Sequence, residues 1–215
     1  MRNFLSVIFA ALVVLILNIA VPAYAEPERY DFPREAPIKF VKPLMPVIPD
    51  FSAEKNEVHR IDEAMRKSIA ALLRQYNKQL DDEKALHYAD LIMQACEKFD
   101  QDPFVIAALV VSESSARSDV VSRGGDYGLM QVRWRVHRRR IQNQYPHIEK
   151  ANDILNPKYN LLVGTEIFST YRATAKQDVR GALMYYSAGN RRMADKVFAL
   201  RSQLEESYLE RLRNS

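Results

Sequence analysis

The chain has 215 residues, of which 47% are hydrophobic and 27% are charged, and its formal net charge is +4. This length is enough for one well-buried domain. The single cysteine, Cys96, excludes an internal disulfide, and no Gly-rich phosphate cradle is present in the sequence. The histidines show no metal-ligand spacing with each other or with Cys96, so we expect neither a metal site nor a cofactor; they are His59, His87, His137 and His147.

Residues 1–25 are typical of a secretory signal peptide. Arg2 supplies a positive start, residues 4–21 are nearly all apolar, and Ala23-Tyr24-Ala25 forms a cleavage site of the A-x-A type. The apolar run also approaches the ~20 residues that span a bilayer, so an uncleaved membrane anchor is the alternative. The polar residues that follow favour cleavage. We therefore expect export across a membrane, with no stable membrane span in the mature protein.

Residues 26–51 are predicted to form an extended Pro-rich segment, and residues 52–215 to form the folded domain. The prolines of the segment are Pro27, Pro33, Pro37, Pro43, Pro46 and Pro49.

The domain begins with predicted helices at about 53–76 and 82–99. Cys96 falls on the apolar stripe of the second helix, which predicts a core position. A catalytic thiol would need a neighbouring histidine, and His87 lies on a different side of that helix.

A third helix is predicted over residues 103–114. Asp102 suits the N-cap and Pro103 the first helical position, and the residues that follow are apolar all round, as in a buried central helix. Glu113 stands near its C-terminal end, where apolar surroundings and the negative end of the helix dipole both disfavour ionisation. The hypothesis is a general acid, and the alternative is an exposed residue that begins a solvated turn.

Further helical patterns follow at about 127–145, 157–174, 178–187 and 190–213, without a convincing period-two strand. The sequence therefore predicts a mainly α domain with a cleft. The C-terminal stretch 193–212 is amphipathic and is expected to pack on the core.

The densest positive patch of the chain lies within the predicted helix at 127–145. It consists of Arg133, Arg135, His137, Arg138, Arg139 and Arg140. Either it is a solvated helix face, or it attracts an anionic polymer. No nucleic-acid partner is expected, because no recognised nucleic-acid motif accompanies the patch.

Three motifs carry a family resemblance. They are Glu113-Ser114, followed by Ser122 and Gly125; Tyr127-Gly128-Leu129-Met130-Gln131-Val132; and Ala182-Leu183-Met184-Tyr185-Tyr186-Ser187-Ala188-Gly189. With these motifs, residues 81–196 resemble the lytic transglycosylase domain of the goose-type lysozyme superfamily. The resemblance implies a single lysozyme-like helical domain with a substrate cleft, in which the loop after the acid can carry a small β element.

The resemblance also implies an activity. Such enzymes cleave the β-1,4 bond between N-acetylmuramic acid and N-acetylglucosamine in peptidoglycan and leave a 1,6-anhydro end. Glu113 would serve as acid and then as base, with the hydroxyl of Tyr186 close to it. Ser122 and Gln131 would hydrogen-bond the sugar, and Met130 would line the groove. Glycan strands are the expected partner, in general wall turnover or beside a secretion or conjugation apparatus. With the predicted signal peptide, this implies export across the inner membrane to the periplasm or cell wall.

The sequence departs from the family pattern at several positions, namely Ser187 for Asn, Tyr185 for Ala, Ser118 for Pro, and Arg133-Trp134-Arg135 where a proline is common. Two other functions stay open. A hydrolytic muramidase would use Asp126 as a second carboxylate, although a solvated turn is the simpler interpretation of Asp126. A wall-binding assembly protein would bind glycan without cleaving it.

Overall fold

The structure, a computed structural model, describes residues 52–214 of the chain. The predicted signal peptide 1–25 and the whole Pro-rich segment 26–51 lie outside the described residues. In the described part, helices dominate and one small antiparallel sheet is present. In chain order these are α1 Ser52–Tyr76, α2 Asp82–Phe99, α3 Pro103–Ser114, β1 Asp126–Tyr127, β2 Val132–Arg133, α4 Trp134–Gln144, a 3₁₀ helix Ala151–Leu155, α5 Pro157–Thr174, α6 Val179–Tyr186 and α7 Arg191–Arg213.

The mainly α prediction is confirmed, and so is the small β element in the loop after Glu113. Local signals set several helix starts. Side chains at the N-cap accept a hydrogen bond from a backbone N–H of the first turn, Asp81 in α2, Asp102 in α3 and Asn156 in α5.

Helix α3 forms the centre of the core. Its residues from Phe104 to Val111 are buried, and it packs against α1, α2 and α7. Helix α7 contributes a buried stripe of Ala194, Val197, Leu200 and Leu204, which confirms that the C-terminal amphipathic stretch packs on the core. Asp102 links the two helices, since its carboxylate also accepts a hydrogen bond from Arg201 of α7 at 2.8 Å. The N-terminal end of α3 is thereby joined to α7.

The predicted helix at 127–145 is wrong in its first part. Residues 126–133 form the hairpin of β1 and β2, and α4 begins only at Trp134. Gly128 and Gln131 have φ angles of +72° and +48° in the turn, and these left-handed conformations do not fit an α-helix. The N–H of Gly128 instead donates to the carbonyl of Val120 at 2.8 Å.

Cys96 is buried in the core, as predicted, and burial raises the pKa of its thiol. The thiol therefore stays protonated and is a poor nucleophile. Within residues 52–214, none of the helices combines the length and apolar character needed to cross a membrane.

Candidate active site

A cavity of about 310 Å³ opens where α3 ends against the hairpin. Predicted site residues from three separate motifs line it, namely Glu113, Gln131 and Tyr186. Asp126, Arg133, His137, Tyr171 and Tyr185 are among the other lining residues. The tertiary structure thus joins the end of α3, the hairpin, the start of α4 and the end of α6 around one space.

Glu113 is half-buried in this cavity, and the alternative of a solvated turn is not what the structure shows. Burial raises the pKa of its carboxyl to about 7, and the negative charge of Asp126 contributes in the same direction. The positive charges of Arg133 and Lys196 oppose the rise. A carboxyl with this pKa exists in both protonation states near neutral pH, which suits proton donation followed by proton abstraction.

Asp126 is not the solvated turn residue that its sequence context suggested. Its side chain is only 16% exposed and faces the same cavity as Glu113. Arg133 donates to both carboxylate oxygens, at 2.6 and 3.0 Å, and Ser122 donates to Oδ2 at 2.9 Å. These hydrogen bonds, of which Arg133 supplies the largest effect, lower the pKa of Asp126. The carboxylate is therefore ionised and fixed in place.

The hairpin itself brings Asp126 and Arg133 together. The two residues are directly opposite each other in the antiparallel pair β1–β2. Side chains of opposite residues project on the same face of a sheet, so a charge pair is favoured at this position. Arg133 was predicted only as part of the basic patch, and its pairing with Asp126 was not predicted. A glycine-containing turn between Asp126 and Arg133 was the available signal.

Residues 127–131, the Gln131 loop, are held by side chains from three helices. Ser114 of α3 donates to the carbonyl of Leu129 at 2.8 Å, and Tyr186 of α6 donates to the carbonyl of Met130 at 2.8 Å. Asn160 of α5 accepts from the N–H of Met130 at 2.7 Å and donates to the carbonyl of Tyr127 at 2.7 Å. Each of these helices therefore fixes the loop that carries Gln131.

Asn160 was also missed as a candidate site residue. It is fully buried, and its amide makes a third hydrogen bond, to the carbonyl of Ile154 at 2.9 Å. A polar residue directly before the apolar run Leu161-Leu162-Val163 was the signal, since a buried amide needs partners.

Gln131 lines the cavity, and its amide nitrogen bonds to the loop. Nε2 donates to the carbonyls of Gly128 and Val120, at 2.9 and 3.2 Å. No hydrogen bond to its Oε1 occurs among residues 52–214, so this oxygen is available as an acceptor for a ligand. Its predicted contact with the sugar stays a prediction.

Tyr186 lies beside Glu113 in the cavity wall, and its hydroxyl bonds to the backbone of Met130. Burial raises the pKa of its phenol well above the ordinary value, and the charge of Glu113 adds to this effect. The phenol is therefore a neutral hydrogen-bond donor that holds the Gln131 loop.

Two other predicted contacts need correction. Met130 is fully buried and does not line the cavity; it packs against Gly164, where an added Cβ would lie 2.5 Å from its sulfur. Ser122 is not among the cavity-lining residues either. Its Oγ accepts from the N–H groups of Gly124 and Asp126, both at 3.1 Å, and it donates to the Asp126 carboxylate. Ser122 thus supports Asp126 within the hairpin.

Metal binding has no structural candidate in the described range. Across residues 52–214, no group of three or more His, Cys, Asp or Glu side chains is arranged to hold a metal ion.

The sequence model of one protein family, described as the transglycosylase SLT domain, matches residues 90–208. This match covers more than half of the chain and includes all of the cavity residues named above. No curated protein matches the sequence. The family match supports a function of the lytic transglycosylase type, acting on peptidoglycan. The predicted resemblance is confirmed, and the chain belongs to the transglycosylase SLT domain family.

Proposed function

We propose that the chain is an exported peptidoglycan lytic transglycosylase in which Glu113 is the single acid and base. The observation that carries the proposal is the half-buried carboxyl of Glu113, with a pKa of about 7, in a cavity of an SLT-family domain. The bond to be cleaved is the β-1,4 bond between N-acetylmuramic acid and N-acetylglucosamine.

In the first step, protonated Glu113 gives its proton to the glycosidic oxygen. The bond from that oxygen to C1 of N-acetylmuramic acid breaks, and N-acetylglucosamine leaves with a free C4 hydroxyl. Positive charge develops on C1 and the ring oxygen. The ionised carboxylate of Asp126, on the same cavity, is a fixed negative charge that favours this state.

In the second step, ionised Glu113 takes the proton of the C6 hydroxyl of the same muramic acid. The oxygen of that hydroxyl bonds to C1, which closes the 1,6-anhydro ring and restores protonated Glu113. No water is consumed. One carboxyl with a pKa near the working pH can serve both steps.

A hydrolytic muramidase is the second candidate, because Asp126 shares the cavity with Glu113. Its carboxylate is a weak base, however, since its pKa is lowered and both oxygens accept hydrogen bonds from Arg133. These contacts oppose its use as a nucleophile or a water-activating base. They favour the transglycosylase over the hydrolase.

The non-catalytic alternative rested on the departures at Tyr185 and Ser187. Ser187 Oγ donates to the carbonyl of Leu183 at 2.7 Å, at the end of its own helix, and both Ser187 and Tyr185 line the cavity that holds Glu113. The presence of Glu113, Gln131 and Tyr186 in one cavity supports cleavage over binding alone.

Analysis of products from purified sacculi tests the proposal. Mass spectrometry should find 1,6-anhydro-muramic ends with wild-type protein, and reducing muramic ends would favour the hydrolase. Glu113→Gln should abolish release, because a neutral amide neither donates nor accepts the proton. Glu206→Gln, at an exposed position of α7, is the matched control and should act like wild type. Full release by a folded Glu113→Gln variant would remove Glu113 from the mechanism.

The proposal includes export to the periplasm or wall through the signal peptide 1–25. The mass of the N-terminal peptide of the secreted protein should show that the mature chain begins at Glu26. Any other start would contradict the predicted cleavage site. A role beside secretion or conjugation machinery, as opposed to general wall turnover, stays a prediction.

A further inference from the structure

Two large apolar side chains are exposed on the lip of the cavity. Val136 is 63% exposed and Tyr185 is 54% exposed, and both line the same space as Glu113. Exposed apolar surface that borders a concave site is a common mark of ligand binding.

Other cavity residues hold the Tyr185 ring in place. It stacks on Tyr171, with ring centroids 6.1 Å apart and an interplanar angle of 29°. Tyr171 in turn meets Tyr186 edge-on at 6.1 Å and His137 edge-on at 6.5 Å. A ring with such support loses little conformational freedom when a ligand binds.

The chemistry of this wall fits a pyranose ring. The faces of such a sugar carry C–H groups. The face of an aromatic ring is partly negative and attracts the partly positive hydrogens of these groups. The rim of the sugar carries hydroxyl and N-acetyl groups, and the same cavity offers Gln131 Oε1 as an acceptor and Arg133 as a donor. An apolar wall beside polar groups is therefore complementary to the two kinds of surface that a sugar has.

We propose that Tyr185, backed by Tyr171, is a stacking platform for one N-acetylhexosamine ring of the glycan, with Val136 as a further apolar contact. The proposal rests on the proposed function for the identity of the ligand. It gives a role to Tyr185, which stands where the family often has alanine. Tyr185 binds the sugar next to the reacting bond and takes no part in proton transfer.

Calorimetric titration with the β-1,4-linked tetramer of N-acetylglucosamine tests the platform. All proteins carry Glu113→Gln so that no ligand is cleaved. Tyr185→Ala should raise Kd about tenfold, as expected for the loss of one aromatic contact. Tyr185→Phe should keep the affinity, because the ring and not the hydroxyl makes the contact. Tyr76→Ala, a partly exposed tyrosine at the end of α1, is the matched control and should bind unchanged.

Equal affinity of the tetramer for Tyr185→Ala and the parent would overturn the platform, and so would a parent protein that does not bind it. Nuclear Overhauser contacts between the Tyr185 ring and the sugar C–H protons give a second measurement that needs no truncated variant; their absence in the bound state would also overturn it.

Product analysis on sacculi separates this proposal from the proposed function. If the tetramer binds through Tyr185 while wild type releases no anhydro ends, the function fails and the platform stands. If anhydro ends are released while Tyr185→Ala binds the tetramer normally, the proposed function stands and the platform fails.

Discussion

Opposing influences act on the carboxyl of Glu113. Burial and the charge of Asp126 raise its pKa, while Arg133 and Lys196 lower it, and the result is about 7. Asp126 and Arg133 are bonded to each other, so each tempers the effect of the other. Substitution of one member of the pair should therefore move the pKa of Glu113 in a direction set by the charge that remains.

Asp126→Asn and Arg133→Gln should shift the pH dependence of the reaction in opposite directions. Without Asp126 the pKa of Glu113 falls, so the alkaline decline of kcat/KM moves to lower pH. Without Arg133 the pKa rises, and the decline moves to higher pH. The measurement is kcat/KM on soluble glycan strands across a pH series.

The control for this pair is Arg213→Gln, which removes an exposed arginine at the end of α7 and should leave the profile unchanged. Shifts of the same sign in Asp126→Asn and Arg133→Gln would show that the pair does not act on Glu113 through its charges.

The raised pKa of Glu113 also has a consequence for stability. The ordinary pKa of this carboxyl is 4.5, and its pKa in the folded state is about 7. Between these two pH values the folded state binds the proton and the unfolded state does not, so the free energy of unfolding falls as the pH rises through this range. Glu113→Gln removes the effect and should raise the free energy of unfolding at alkaline pH by up to about 3 kcal/mol relative to wild type. Urea unfolding at an acidic and an alkaline pH measures it. A difference from wild type that is the same at both pH values would contradict the burial of this charge.

At the scale of elements, the Gln131 loop depends on side chains from helices that lie elsewhere in the sequence. Asn160 supplies three hydrogen bonds, two of them to residues 127–131. If the amide of Asn160 is removed, the buried backbone groups of the loop are left without hydrogen-bond partners.

Asn160→Ala should lower the free energy of unfolding by about 3 kcal/mol and reduce activity, since Gln131 and the hairpin lose their support. Asn143→Ala, at an exposed position on α4, is the matched control and should change stability by less than about 0.5 kcal/mol. Urea unfolding measures both. A loss in Asn160→Ala no larger than that of the control would mean that the loop is held by other contacts.

The sequence predicts the elements that have strong local signals. Asp102 and Pro103 define the start of α3, and the apolar run behind them predicts its burial and the position of Glu113 near its end. The helical pattern at 157–174 likewise predicted α5, which begins at Pro157 with Asn156 as its N-cap.

The hairpin could not be predicted in this way. Its strands have two residues each, which is too short for a period-two pattern, and Gln131 adopts a left-handed conformation that its residue type does not favour. The burial of Met130 depends on space left by Gly164 of α5. The pairing of Asp126 with Arg133 exists only once the hairpin has formed.

At the scale of the whole molecule, the basic patch divides into two groups. Arg133 pairs with Asp126, Arg140 pairs with buried Glu166, and His137 lines the cavity. The other members, Arg135, Arg138 and Arg139, are exposed on α4 and have no ion pair among the described residues. Three exposed arginines without an ion pair on one helix favour contact with an anionic polymer.

Replacing Arg135, Arg138 and Arg139 together by Gln should weaken binding to sacculi at low salt and remove most of its salt dependence, because exposed charges are screened by ions. Co-sedimentation at several salt concentrations measures this. The control replaces three exposed lysines distant in sequence from α4 by Gln, namely Lys55, Lys78 and Lys84. Unchanged binding in the arginine variant would identify the patch as an ordinary solvated face.

Digestion of sacculi in water enriched in oxygen-18 tests the central claim most directly. If Glu113 transfers the C6 hydroxyl proton and no water enters, the released muramic ends carry no heavy oxygen. One heavy oxygen at C1 of each released end would mean that water is the nucleophile, and the transglycosylase account would then be wrong.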